Sequence, residues 1–168
     1  MSTASPSATA SLDLTADTAT LLEQLVDIES VSLNEKHIAD AVEASLSAYD
    51  HLVVIRRGNT VVARTELGRA ERVVIAGHLD TVPLNHNLPA RNDGTNLHGL
   101  GSCDMKGGDA VALRLAASLL DPNRDLTFVF YEGEEIEAEF NGLARLVRNH
   151  PQWLEADFAV LLGPTNGG

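Results

Sequence analysis

Three short stretches of this chain carry residue types that can hold and use a cation. His78-Leu79-Asp80 offers an imidazole with a carboxylate two residues on. Asp104 stands inside the glycine-rich run Gly99-Leu100-Gly101-Ser102-Cys103-Asp104-Met105-Lys106-Gly107-Gly108, and Tyr131-Glu132-Gly133-Glu134-Glu135 ends in adjacent carboxylates. In extended chain, residues two apart point to the same side, so Asp80 can sit beside the His78 ring. A carboxylate there fixes the tautomer of a metal-bound imidazole and raises its basicity. A carboxylate held in a tight glycine turn, as Asp104 is, can bridge two cations about 3.5–4 Å apart. Neighbouring residues in extended chain diverge, so of Glu134 and Glu135 one can ligate a metal while the other takes a proton from an attacking water. This is the material of a two-metal hydrolytic site.

Each stretch alone has an ordinary reading. His78 and Asp80 can make strand-end hydrogen bonds, Asp104 can cap a helix, and Glu134 and Glu135 can belong to a solvated acidic loop with Glu132, Glu137 and Glu139. Cys103 has no His/Asn partner motif and reads as a small apolar filler rather than a nucleophile or zinc ligand. His37, His51, His86, His98 and His150 read as surface or loop residues. A nucleotide-binding reading of the glycines fails on spacing, and Lys106 is not followed by Ser or Thr. What carries the metal reading is the ordered combination of all three stretches.

The elements that must position them follow from hydrophobic period and punctuation. Leu21, Leu22, Leu25 and Ile28 recur at helical spacing from Asp17 to Ile28. A second helix is expected from a cap at Asn34, with Ile38, Val42 and Leu46 on one face. His51–Arg57 and Thr60–Thr65 read as strands joined through Gly58-Asn59. Arg72–Ala76 and Asp125–Tyr131 read as buried strands. A polar loop is expected from Gly77 to about Ser102, then a long helix over Met105–Leu120 with Val111, Leu115 and Leu119 on its buried stripe. Asn141–Asn149 reads as a helix closed by Pro151, and Asp157–Leu162 as a last strand running into Gly163-Pro164. Strands alternating with helices predict a three-layer α/β/α sheet fold. His78, Asp104 and the Glu134-Glu135 pair then all follow strands or strand-end loops.

Composition narrows the partners. The chain has 168 residues, 24 acidic against 12 basic side chains and a formal charge of −12. That balance argues against nucleic acid or an anionic membrane as partner. An apolar fraction of 44% is ordinary for a globular protein, and a chain this long can bury roughly 70% of its unfolded surface. No apolar run approaches membrane-spanning length. Residues 1–14 read as a disordered leader, without the basic and apolar segments of a signal peptide. The single Cys103 excludes an internal disulfide framework and fits a reducing cytoplasm.

The motifs Gly77-His78-Leu79-Asp80-Thr81-Val82-Pro83, the 99–108 run and Tyr131-Glu132-Gly133-Glu134-Glu135 together resemble the M20 family of metal-dependent amidohydrolases and peptidases. Asn87-Leu88-Pro89, Asn141-Gly142-Leu143 and His150-Pro151-Gln152-Trp153-Leu154-Glu155-Ala156-Asp157 make the likeness strongest to its actinobacterial-type succinyl-diaminopimelate desuccinylase branch. The likeness runs from about Leu21 to the last residue. It implies a zinc-peptidase-like fold and a two-zinc site, with cobalt as a possible substitute. His78 would ligate one metal, Asp104 would bridge both and Glu135 would ligate the second, with Glu134 as general base and acid and Asp80 orienting His78. It implies hydrolysis of a small N-acylated amino-acid substrate, N-succinyl-LL-2,6-diaminopimelate, to succinate and LL-diaminopimelate. Acetylornithine deacetylase or dipeptidase activity is the alternative within the family, and a non-catalytic metal-binding fragment the alternative outside it. Two departures bear on this. Where the family reads Glu-Pro-Thr, with Glu on a metal, this chain has Gly163-Pro164-Thr165. The family also continues into a dimerisation domain and a return segment bearing a last ligand His. Residues 15–168 are therefore expected to be the N-terminal portion of a catalytic domain incomplete at its C-terminus. Such a portion is expected to be inactive and without the homodimerisation of the full-length family.

Overall fold

The computed structural model describes residues 11–165. Among the described residues, seven strands and four α-helices run in the order α1 Thr18–Asp27, α2 Lys36–Leu46, β1 Val53–Arg57, β2 Thr60–Arg64, β3 Arg72–His78, β4 Arg91–Asn92, β5 Leu97–His98, α3 Lys106–Ser118, β6 Asp125–Tyr131, α4 Gly142–Asn149 and β7 Phe158–Leu161, with a short 3-10 turn Pro151–Trp153 before β7. Five strands form one mixed sheet in the order β1-β2-β6-β3-β7. β1 and β2 are an antiparallel hairpin turned through Gly58, whose φ of +64° suits a residue without Cβ. β6, β3 and β7 run parallel to one another.

Helices cover both faces, which makes the three layers. Val61, Ala63, Phe128 and Phe130 point to one side and pack with Leu21, Leu25, Ile38, Val42 and Leu113 of α1, α2 and α3. Val62, Val74, Ala76, Val129 and Tyr131 point to the other, against Leu146 of α4. β6 is buried along its whole length, as its predominantly apolar sequence suits a strand covered on two faces. Burying a side chain such as Phe128 contributes roughly 1.5–3 kcal/mol.

Several local expectations are corrected. Asn34 does not cap α2; Glu35 holds that position without a side-chain cap bond and instead accepts from the Leu33 N–H at 2.9 Å. The loop after β3 contains the two-residue hairpin β4–β5, too short to leave a periodic signal. On α3, Val111 is 44% exposed and Leu119 lies at the surface, while Lys106, Asp109, Ala110, Ala112, Leu113 and Ala116 face inward. The helix sits close on β3, where small side chains fit and two charged ones are enclosed. Cys103 is exposed rather than a core filler. Residues 1–10 of the expected leader lie outside the described residues, but Leu12 and Leu14 are buried in the core and belong to the fold. Asp17 caps α1 and Asn141 caps α4 through their side chains, as their types allow.

Because β3 and β6 are parallel and in register, His78 lies opposite Tyr131 and both strands release their chains at the same end of the sheet. β7 pairs alongside, Ala76 with Leu161, and delivers Gly163 to that end. Ligands in open α/β sheets collect at such carboxyl ends. No helix among the described residues is long and apolar enough to cross a membrane.

Candidate metal centre

His78 is the last residue of β3 and is buried. Its Nδ1 lies 3.0 Å from the backbone carbonyl of Asp80 and 3.5 Å from the Asp80 carboxylate. That leaves Nε2 to face outward, where it meets Asp104 Oδ1 at 3.1 Å and Glu134 Oε2 at 3.9 Å. Burial disfavours the charged imidazolium, but Asp80, Asp109 and Asp104 outweigh it and hold His78 up at about 9. Asp80 has no exposed surface, and burial would raise its pKa. Its bonds to His78, the Glu134 and Glu135 N–H groups and Ser32 outweigh that and hold it at about 2.

Asp104 does not cap α3. The 99–105 turn hands its backbone over at Gly101, whose φ is +74° and whose carbonyl accepts from the Lys106 N–H at 2.9 Å. The Asp104 side chain is thereby free to lean over β3. Glu135 follows β6 by way of Gly133, at φ +69°. Burial, and after it the negative charge of Asp104, raise the pKa of Glu135.

The structure brings His78, Asp104 and Glu135 together: one ligand atom from each lies within 4.8 Å of the others. Imidazole nitrogen with carboxylate oxygens is a donor set that suits zinc and related divalent ions. Glu134 stands beside this trio rather than in it, with its backbone tied to Asp80 at 2.9 Å. Asp104 lines two cavities. One, of about 270 Å³, is walled by His78, Tyr131, Glu134, Leu161 and Gly163. The other, of about 410 Å³, is walled by Thr81, Asn87, Ser102, Cys103 and Glu135.

Of the residues beneath the trio, Lys106 lies in the 99–108 motif, whereas Asp109 and Ser32 lie in none. Asp109 is wholly buried and both its carboxylate oxygens lack a hydrogen-bond partner. Burial pushes its pKa well above the usual carboxylate range, against the pull of His78 and Lys106. Lys106 is also enclosed, donating to the Ile28 carbonyl at 2.8 Å, and burial lowers it to about 8. It is thus turned away from any substrate. Ser32, 48 residues from Asp80 in sequence, donates to the Asp80 carboxylate at 2.7 Å. Apart from that motif, the only sequence sign of this group is the i, i+3 spacing of Lys106 and Asp109 on a helix face otherwise rich in alanine.

Comparison with known proteins gives a consistent result. The profile of peptidase family M20/M25/M40 matches residues 74–168. A chain of Mycobacterium tuberculosis, provisionally named as the succinyl-diaminopimelate desuccinylase DapE, is 54% identical over 157 residues, covering 93% of this chain and 44% of that one. A succinyl-diaminopimelate desuccinylase of Corynebacterium glutamicum is 45% identical over 161 residues, with the same coverage of 93% and 44%. The chain thus spans under half the length of these relatives. Among solved structures, an M20 family metallo-carboxypeptidase from Sulfolobus solfataricus superposes with a TM-score of 0.74 at 17% identity, over 89% of this chain and 38% of that one. A tripeptidase from Staphylococcus aureus gives 0.71 at 20%, over 92% and 44%. At such identities these two speak for the fold.

Proposed function

The chain belongs to peptidase family M20/M25/M40, and from that premise we propose that residues 15–168 form the metal-binding portion of a zinc-dependent amide hydrolase. Its substrate is N-succinyl-LL-2,6-diaminopimelate. The observation that carries this reading is the convergence of His78, Asp104 and Glu135 at the shared end of β3 and β6. The names of the relatives from Mycobacterium tuberculosis and Corynebacterium glutamicum support the substrate.

The three residues fit a zinc ion by donor type and mutual spacing. Bound there, zinc would supply positive charge that polarises an amide carbonyl and lowers the pKa of water. His78, with Nδ1 engaged by Asp80, presents Nε2 as a ligand in a fixed tautomer. Glu134, half exposed beside the trio, accepts the proton of the attacking water and returns it to the leaving amine. Because Asp104 lines both cavities, the acyl and amine halves of a substrate can lie on either side of it. The lone Cys103 supports a reducing, cytoplasmic setting.

Gly163 favours a second reading. It reaches the smaller cavity without a side chain to offer, so the chain alone binds metal without turning over the amide. Zinc stoichiometry by equilibrium dialysis, followed by calorimetry of ligands with the zinc-loaded chain, tests both. The expected result is one zinc per chain, lost in His78→Ala, and heat with N-succinyl-LL-2,6-diaminopimelate but not with N-acetylornithine or a dipeptide. Preference for N-acetylornithine or the dipeptide would move the assignment within the family. Succinate release by the unmodified chain would overturn the second reading, and absence of zinc binding would overturn both.

A further inference from the structure

The Asp80 carboxylate has closer partners than the imidazole. Ser32 Oγ donates to Oδ2 at 2.7 Å, the Glu134 N–H to Oδ1 at 2.9 Å and the Glu135 N–H to Oδ2 at 3.0 Å. His78 Nδ1 is farther off, at 3.5 Å from Oδ1. Three segments distant in sequence therefore meet on one fully buried carboxylate: the turn after α1, the end of β3 and the loop after β6. We infer that Ser32 is a positioning residue that acts through Asp80 to hold the Glu134–Glu135 turn in register with His78. This deepens the metal-centre reading and rests on it.

A carboxylate offers about four lone-pair sites. Here the two loop amides and the serine hydroxyl fill three, and the imidazole stands near the fourth. Ser32 and the Glu135 amide share Oδ2, so the hydroxyl fixes the oxygen on which the proposed ligand's backbone hangs. Without it the carboxyl plane can rotate toward His78 and release that amide. The backbone around Ser32 is secured independently. Its N–H donates to the Thr81 carbonyl at 3.1 Å, the Thr81 N–H donates to the Ser30 carbonyl at 3.0 Å, and Val31 bridges Thr81. Removing the hydroxyl therefore leaves the turn itself in place.

The test compares Ser32→Ala with Ser32→Thr in the 168-residue chain. Residue-resolved amide exchange is followed by NMR without metal, and zinc affinity by calorimetry. In Ser32→Ala the Glu135 amide should exchange about 10-fold faster, with a smaller rise at Glu134 and none at Val129 in β6. Zinc should bind about 10-fold more weakly. Ser32→Thr, which keeps the hydroxyl, should restore both. Unchanged exchange at Glu134 and Glu135, or faster exchange throughout β6, would overturn the inference. If the exchange pattern appears while the unmodified chain takes up no zinc, the positioning role stands and the metal-centre reading falls.

Discussion

Asp109 lies directly over Gly77: a methyl group built on Gly77 would overlap Asp109 Oδ1 and Met105 Cε. The first residue belongs to α3 and the second to β3, so helix and strand pack here, next to His78, too closely to admit a Cβ. Neither obstructing side chain has room to retreat, since Asp109 is wholly enclosed and Met105 nearly so. Gly77→Ala is expected to destabilise the chain by about 2 kcal/mol through overpacking. Urea unfolding followed through the single Trp153 measures it. An unchanged midpoint would mean that α3 can lift from the sheet.

Glu134 and Glu135 are adjacent in sequence but do different work. Glu135 contributes to the trio of convergent ligand atoms and Glu134 does not. Zinc affinity should therefore fall by about 10-fold or more in Glu135→Gln and stay near that of the unmodified chain in Glu134→Gln. Competition with a chromogenic chelator measures both. Equal losses in the two variants would contradict the division of labour between ligand and base.

His78 gives the metal-free chain a pH dependence of definite sign. Held up at about 9 in the folded state, against about 6.5 in an unfolded chain, it contributes stability that is whole below about pH 6.5. That stability is lost as the pH climbs through about 9. The expected loss is about 3 kcal/mol, read by urea unfolding of the chelator-treated chain at either end of the interval. His78→Gln should remove this component of the profile. Asp80, held at about 2 by His78, the Glu134 and Glu135 N–H groups and Ser32, contributes stability that is lost as the pH falls from about 4 through about 2.

Gly163 has room for a side chain. A Cβ there meets nothing within 4 Å, and the residue lines the cavity that also holds His78, Asp104 and Glu134. Gly163→Glu should therefore be accommodated with little change in stability and should tighten zinc binding, raising the stoichiometry above that of the unmodified chain. Equilibrium dialysis at saturating zinc reads the outcome. No gain in zinc would indicate that a carboxylate at this position is held away from the centre.

The sheet was largely legible because its strands are short runs rich in Val, Ile and Phe, set between glycine and polar turns. Asp125–Tyr131 is buried at every residue, as its composition suggests. The convergence of His78, Asp104 and Glu135 was legible through motif order, with His78 ending β3, Asp104 preceding α3 and Glu135 following β6. Periodicity failed on α3, where it ranks Val111 and Leu119 as core and has no means of ranking Lys106 and Asp109 there. Close packing against Gly77 admits the small and the enclosed polar residues and turns the larger aliphatic ones outward. The Ser32–Asp80 bond was hidden for a different reason. It joins residues 48 apart, and nothing in either local sequence announces the partner.

The two rims of the sheet are unlike. β1 ends in Arg56 and Arg57, whereas β7 is Phe158-Ala159-Val160-Leu161, without a charge and with Phe158 and Leu161 64% and 67% exposed. Charged edges resist strand addition and uncharged apolar ones invite it. Among the described residues, β7 is thus the more receptive rim. A segment that adds a strand to this sheet is therefore expected beside β7 rather than beside β1.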